Sequence, residues 1–187
     1  MKKRNAMAKL QTYLLCYWCI FSITGSLTSC GKTLPLRQKH TQPLNQSFKG
    51  KFQNQSFKIS GRNPYQDHTF ILQELEVFHH ESESISIEFG GNNELYLHHQ
   101  KGSDTLTSMF EGKFKKNGSY QIWLRRKRVE IPPLFPIIYS RVDIKRLRFH
   151  LDLENNLVIH NKWARTANIF ILAAGGSGKY NSYFYKQ

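Results

Sequence analysis

The chain has 187 residues, 27 Lys and Arg against 13 Asp and Glu, and a formal charge of +14. That length is one domain's worth of material, so one domain plus a tether is the economical parse. The basic balance points to anionic partners and argues against an inhibitor of a cationic enzyme such as lysozyme, since such inhibitors tend to be acidic.

Residues 1–29 carry Lys2, Lys3, Arg4 and Lys9 and no acidic residue, followed by an apolar run around Leu14-Leu15-Cys16-Tyr17-Trp18-Cys19-Ile20-Phe21. A spanning helix wants roughly 20 mainly apolar residues, and Ser22, Thr24, Ser26, Thr28 and Ser29 erode the second half of this one. A basic head and a short apolar run predict an export signal. Its last residues, Leu27-Thr28-Ser29-Cys30, resemble the lipobox of bacterial lipoproteins: an aliphatic residue, two small residues, then the cysteine whose thiolate takes the lipid. The resemblance implies cleavage before Cys30 and a lipid anchor on its sulfur. It further implies an envelope location, on the outer membrane facing the periplasm because the residues after Cys30 are basic.

Cys16 and Cys19 then leave with the signal, so their Cys-x-x-Cys spacing carries no redox or metal chemistry. The 27 basic residues lose Lys2, Lys3, Arg4 and Lys9, which leaves 23 against 13 acidic ones and a formal charge of +10 over 158 residues. Nucleic acid, the other usual partner of a basic chain, is not expected in that compartment.

Residues 30–47 are polar, hold Pro35 and Pro43, and show no sustained period, as a tether does. From residue 48 to 187 period-two alternation recurs, the sign of strands with one buried face. Phe48-Lys49-Gly50-Lys51-Phe52 opens it. Asn63-Pro64 interrupts, and Ile71, Leu75 and Phe78 then recur at i, i+4 and i+7, which predicts a short amphipathic helix. Ser84 to Phe89, the turn Gly90-Gly91-Asn92-Asn93, and Leu95-Tyr96-Leu97 read as a hairpin. A pairing of Phe89 with Glu94 would set His98 and His99 opposite Ile85 and Ser84. The pairs His79-His80 and His98-His99 offer one zinc ligand each to a given face, so surface histidines are the expectation and no metal or cofactor is assigned.

Leu106, Phe110 and Phe114 share one parity, as do Tyr120, Ile122 and Leu124 after a turn at Lys116-Asn117-Gly118. Ile131-Pro132-Pro133-Leu134-Phe135-Pro136-Ile137-Ile138 is an apolar loop that its prolines keep out of a central strand. Leu147, Phe149, Leu151 and Leu153 form another run, and Leu157 to Trp163, Asn168 to Ala174 and Tyr180 to Tyr185 bring the count to eight to ten strands. Gly175-Gly176-Ser177-Gly178-Lys179 lacks the first Gly and final Ser or Thr of a phosphate-binding loop; a flexible hairpin loop is expected there.

The predicted class is mainly β, an antiparallel up-and-down barrel with one short helix after the first strand, and a β-sandwich is the alternative. The inserted helix and Gly50-Lys51-Phe52, an echo of the Gly-x-Trp that opens lipocalins, resemble the lipocalin and fatty-acid-binding-protein superfamily.

Charge is segregated. Asp67 to Glu111 holds nine acids and only Lys101, whereas Lys113 to Arg148 holds eleven basic residues against Glu130 and Asp143. Opposite-sign strands pairing across the sheet is one reading. The other is a basic band for anionic lipid. Arg126 and Arg128 share the parity of Ile122 and Leu124, so they would point inward, unless the strand bulges, and receive an acidic ligand. Arg146 and Arg148 belong to the same band, and Phe110, Tyr120 and Trp123 are candidate linings for a small apolar ligand. No catalytic arrangement stands out, and an enzyme is not expected. The expected function is a monomeric, non-enzymatic envelope lipoprotein that binds an apolar or amphiphilic small molecule or serves as a structural component. The alternative is an interaction module that docks on an acidic envelope partner through its basic band.

Overall fold

In a computed structural model, residues 41–62, 67–78, 82–131, 139–169 and 172–187 are described. Cys30, the export signal, the His79-His80 pair and the Pro132–Ile138 part of the apolar loop lie outside them. No helix among the described residues is long and apolar enough to cross a membrane.

The strands are β1 (Lys49–Gln53), β2 (Lys58–Arg62), β3 (Ser84–Phe89), β4 (Glu94–Lys101), β5 (Asp104–Phe114), β6 (Tyr120–Ile131), β7 (Tyr139–Leu151), β8 (Leu157–Ile169) and β9 (Leu172–Phe184), with one helical turn α1 (Ile71–Glu74). They form a single antiparallel sheet in the order β1-β3-β4-β5-β6-β7-β8-β9-β2. The mainly β, antiparallel expectation holds; the order has two ends, however, and is not closed into a barrel. The expected first strand forms as β1, and β2 is a further strand not expected from the sequence: the chain between Gln53 and Lys58 turns so that β1 joins β3 and β2 joins β9. One bridge, Phe52 to Lys186, joins β1 to the chain just after β9, with Gln53 N–H donating to the Tyr185 carbonyl at 2.9 Å.

Alternation builds the core as expected. Ile85 and Ile87 of β3, Leu95 and Leu97 of β4, and Leu147 of β7 are buried while their neighbours are not, and Phe89 and Phe149 join the same buried set. Tyr120 sits at the centre, its ring 4.7 Å from Phe89, 5.0 Å from Phe114 and 6.3 Å from Phe149. Its hydroxyl donates to the Asn93 carbonyl at 2.6 Å. Within the span expected as tether, Leu44 is buried in the same core, and Gln42 forms a bridge with Leu151.

Three local expectations are corrected. The helix ends after one turn because Glu76 takes a left-handed φ of 61°, so Phe78 is 90% exposed rather than buried with Ile71 and Leu75. The β3–β4 turn holds Asn93 at φ 60°, which slips the register so that Phe89 faces Leu95. His99 is consequently buried opposite Ile85, and His98 faces outward to Thr107 Oγ1 at 2.8 Å.

Third, Gly175 to Lys179 is no hairpin loop but the interior of β9, which runs unbroken opposite β8. A Cβ at Gly175 would come within 2.2 Å of the Arg165 carbonyl, and one at Gly178 within 2.6 Å of Trp163 Nε1. The glycines are therefore clearance for a close strand and an indole, not turn chemistry. The hairpin turn lies instead between Ile169 and Leu172.

Strands β7, β8 and β9 are 13 residues long and β6 is 12, against 5 to 8 for β1 to β4. Only Gly112 to Phe114 of β5 pairs with β6. Beyond that point β6 to β9 continue as a four-stranded blade.

Candidate functional site

Arg126 and Arg128 do not point inward. A β-bulge shifts the register of β6 between Trp123 and Arg125, so Trp123 faces Arg146 while Arg125 faces Lys145. The extra residue inverts the parity beyond it. Arg125 now takes the inner face, and Arg126 and Arg128 join the outer face that carries Trp123, Arg146 and Arg148.

That outer face is laid out by the ladders. One row across the sheet reads Lys113, Gln121, Arg148, His160, Asn181, Ser60. The next reads Trp123, Arg146, Lys162, Lys179, Arg62. Neither row contains a carboxylate. Trp123 lies between two guanidinium groups, Arg126 at 5.4 Å and Arg146 at 5.5 Å from its ring centre. Arg148 Nε donates to Gln121 Oε1 at 3.1 Å, and His160 Nδ1 meets Asn181 Oδ1 at 2.7 Å. Arg146 Nε is buried and has no hydrogen-bond partner.

The cations repel one another. Burial and then the charges of Arg146, Lys179 and Arg148 pull the Lys162 ammonium below its ordinary range. Burial and the neighbouring Arg148 lower Arg146 likewise. His150, on the outer face next to this row, is brought down to about 4 by burial, then by His160 and Arg148.

The His150 shift gives a pH test. Its folded value lies below the 6.5 of a free histidine, so on acidification the unfolded chain takes up the proton first. Stability is expected to drop by about 3 kcal/mol between pH 6.5 and pH 4 from this group. His150→Gln should remove most of that loss in urea titrations run across the range; an unchanged slope would discard the assignment.

The inner face disposes of its charge differently. The Glu76 carboxylate meets Arg125 Nη2 at 2.8 Å and Lys145 Nζ at 3.1 Å, and Asp143 meets Arg125 Nε at 3.3 Å. Buried Glu74 accepts from Asn161 Nδ2 at 2.5 Å, Ser182 Oγ at 3.1 Å and Tyr180 Oη at 3.2 Å. Burial raises its pKa against the pull of those donors and of Lys145. The inner acids thus have cationic or donor partners, whereas the outer Arg146 row sets cations side by side with no carboxylate among them.

Of the residues expected to bind, Arg126, Arg146 and Trp123 form one cluster, with Arg148 beside it. Phe110 and Tyr120 belong elsewhere: Tyr120 is fully buried in the core and Phe110 packs against that core. Two open depressions among the described residues, of about 350 and 380 Å³, are lined by Lys49, Lys51, Glu88 and His98 in one case and by Gln53, Gln55 and Glu83 in the other, away from those rings. Sequence reasoning missed Lys162 and Lys179, which join the face only through β8–β9 pairing. No three His, Cys, Asp or Glu among the described residues are grouped to hold a metal ion.

Comparison with protein families, with curated proteins and with solved structures finds no match for this chain.

Proposed function

We propose that the protein is a non-enzymatic envelope lipoprotein, anchored through lipid on Cys30, whose basic outer face docks on an acidic envelope partner. The observation that carries the docking reading is the pair of adjacent outer rows with Lys113, Arg146, Arg148, Lys162 and Lys179 and no carboxylate. Like charges directly opposite on neighbouring strands destabilise a sheet. A fold that pairs its acids with cations on one face and leaves the other face repelling itself is arranged for an outside anion.

The filled centre supports docking over uptake of a small apolar ligand. Phe52, Tyr120, Phe149 and Phe184 occupy the interior with no exposure.

Two measurements test the two halves. Radiolabelled palmitate should mark the wild type and not Cys30→Ala, and equal labelling withdraws the anchor. Binding of the chain to immobilised polyglutamate should weaken steeply with added salt, because the contacts are between exposed charges. Salt-independent binding, or none at low salt, withdraws the docking.

A further inference from the structure

We infer that the far end of the β6–β9 blade is a second contact surface, a bilayer-docking edge that seats its terminal row at the acyl-chain boundary of an anionic membrane. This edge includes neither Cys30 nor the Arg146 row. The last cross-strand row among the described residues is Ile131, Tyr139, Ile169, Leu172, four apolar or aromatic residues contributed by four strands. Leu172 is 74% exposed.

Behind this row the charge is basic. Arg141 follows two residues in on β7, Arg128 three residues in on β6 and Arg165 four residues in on β8. At 3.3 Å per residue these lie about 7 to 13 Å from the terminal row. One acid, Glu130, shares the second row. Asp143 reaches Arg165 at 3.8 Å and leaves that side chain 64% exposed.

Among the described residues, β9 is open on both faces at this end. Ala173 and Ala174 point to opposite faces of β9, as adjacent strand residues must, and both are exposed. A sheet ordinarily buries at least one face against a second layer. A protein partner would lie on one face. An apolar end followed on either side by arginines reads instead as depth, hydrocarbon first and phosphate next, the order of a membrane interface, where Tyr139 also suits the boundary. A second copy of this chain would set like charges against each other.

The test places a photoreactive benzophenone side chain at Leu172 in the full chain, reconstituted in phosphatidylcholine vesicles containing phosphatidylglycerol and radiolabelled lipid. The control position is Leu153, 58% exposed, in the turn at the opposite end of β7 and β8. Lipid labelling at 172 should exceed that at 153 by about ten-fold or more. It should fall towards the control when Arg128, Arg141 and Arg165 are each changed to Gln, each contributing about 1 kcal/mol at an anionic surface. Should that variant misfold, the wild type on vesicles of phosphatidylcholine alone supplies the same comparison. Equal labelling at 172 and 153, labelling indifferent to anionic lipid, or a product joined to a second protein chain overturns the inference. A result of that kind leaves the polyglutamate test of the outer face untouched, so the two failures are distinguishable.

Discussion

Glu74→Ala is expected to lower the stability of the fold by about 3 to 5 kcal/mol, read as a drop in the urea midpoint at neutral pH. The carboxylate is 2% exposed and is the shared acceptor for Asn161 on β8 and for Tyr180 and Ser182 on β9. Alanine leaves three donors without that acceptor, and each unsatisfied buried group costs about 1 to 3 kcal/mol. Native domains hold only about 5 to 15 kcal/mol in total, so the variant should sit near the edge of folding. It should also reveal the pH dependence of the wild type. Because burial raises the folded pKa of Glu74, the folded chain holds this proton more tightly than the unfolded one. The corresponding stability is fully present below the unfolded pKa and is lost as pH rises through the folded one. Alanine removes that limb. A midpoint within 1 kcal/mol of wild type at neutral pH would mean that α1 is not tied to β8 and β9 as described.

How much of this was legible in the residues differs from place to place for physical reasons. The alternations Ser84 to Phe89, Leu95 to Leu97 and Leu147 to Leu151 announce their strands, because burial on one face writes itself into every second position. What alternation cannot carry is a change of phase. One extra residue at Leu124 inverts everything after it, and no side chain in Trp123-Leu124-Arg125 signals a bulge, so Arg126 and Arg128 were expected inside and lie outside. The same blindness moved His99 into the core, where a left-handed Asn93 slipped the hairpin by one.

Glycine misled for a related reason. A run of glycines means conformational freedom in a turn and clearance in a strand, and the deciding neighbour, Trp163, is 13 or more residues away in sequence and belongs to the adjacent strand. The basic site was half visible. Arg146, Arg148 and Trp123 sit in the band that composition picks out, whereas Lys162 and Lys179 look like isolated charges until β8 and β9 are paired. Phe110 and Tyr120 were marked as linings because aromatic residues line ligand chambers, but the same residues fill cores, and here Phe89, Phe114 and Phe149 surround Tyr120.

The triple variant Arg146→Gln, Lys162→Gln, Lys179→Gln is expected to weaken binding to an anionic surface about 100-fold while leaving the stability of the fold close to that of wild type. The first figure follows from about 1 kcal/mol per basic residue at such a surface. The second follows from geometry: Arg146 stands directly opposite Lys162, and Lys162 directly opposite Lys179. Relieving two like-charge pairs returns a few tenths of a kcal/mol each. Loss of the Arg146 contact with Trp123, 5.5 Å from guanidinium to ring centre, takes back about 0.5 to 1 kcal/mol. Ordinary surface cations that serve the fold would behave the other way, with binding unaffected and stability lowered. Lost affinity at nearly unchanged stability is therefore the signature of a face shaped by a partner. Polyglutamate titration and urea denaturation of the same preparation read both, and a variant that loses stability and keeps its affinity would return these cations to the role of solvated surface.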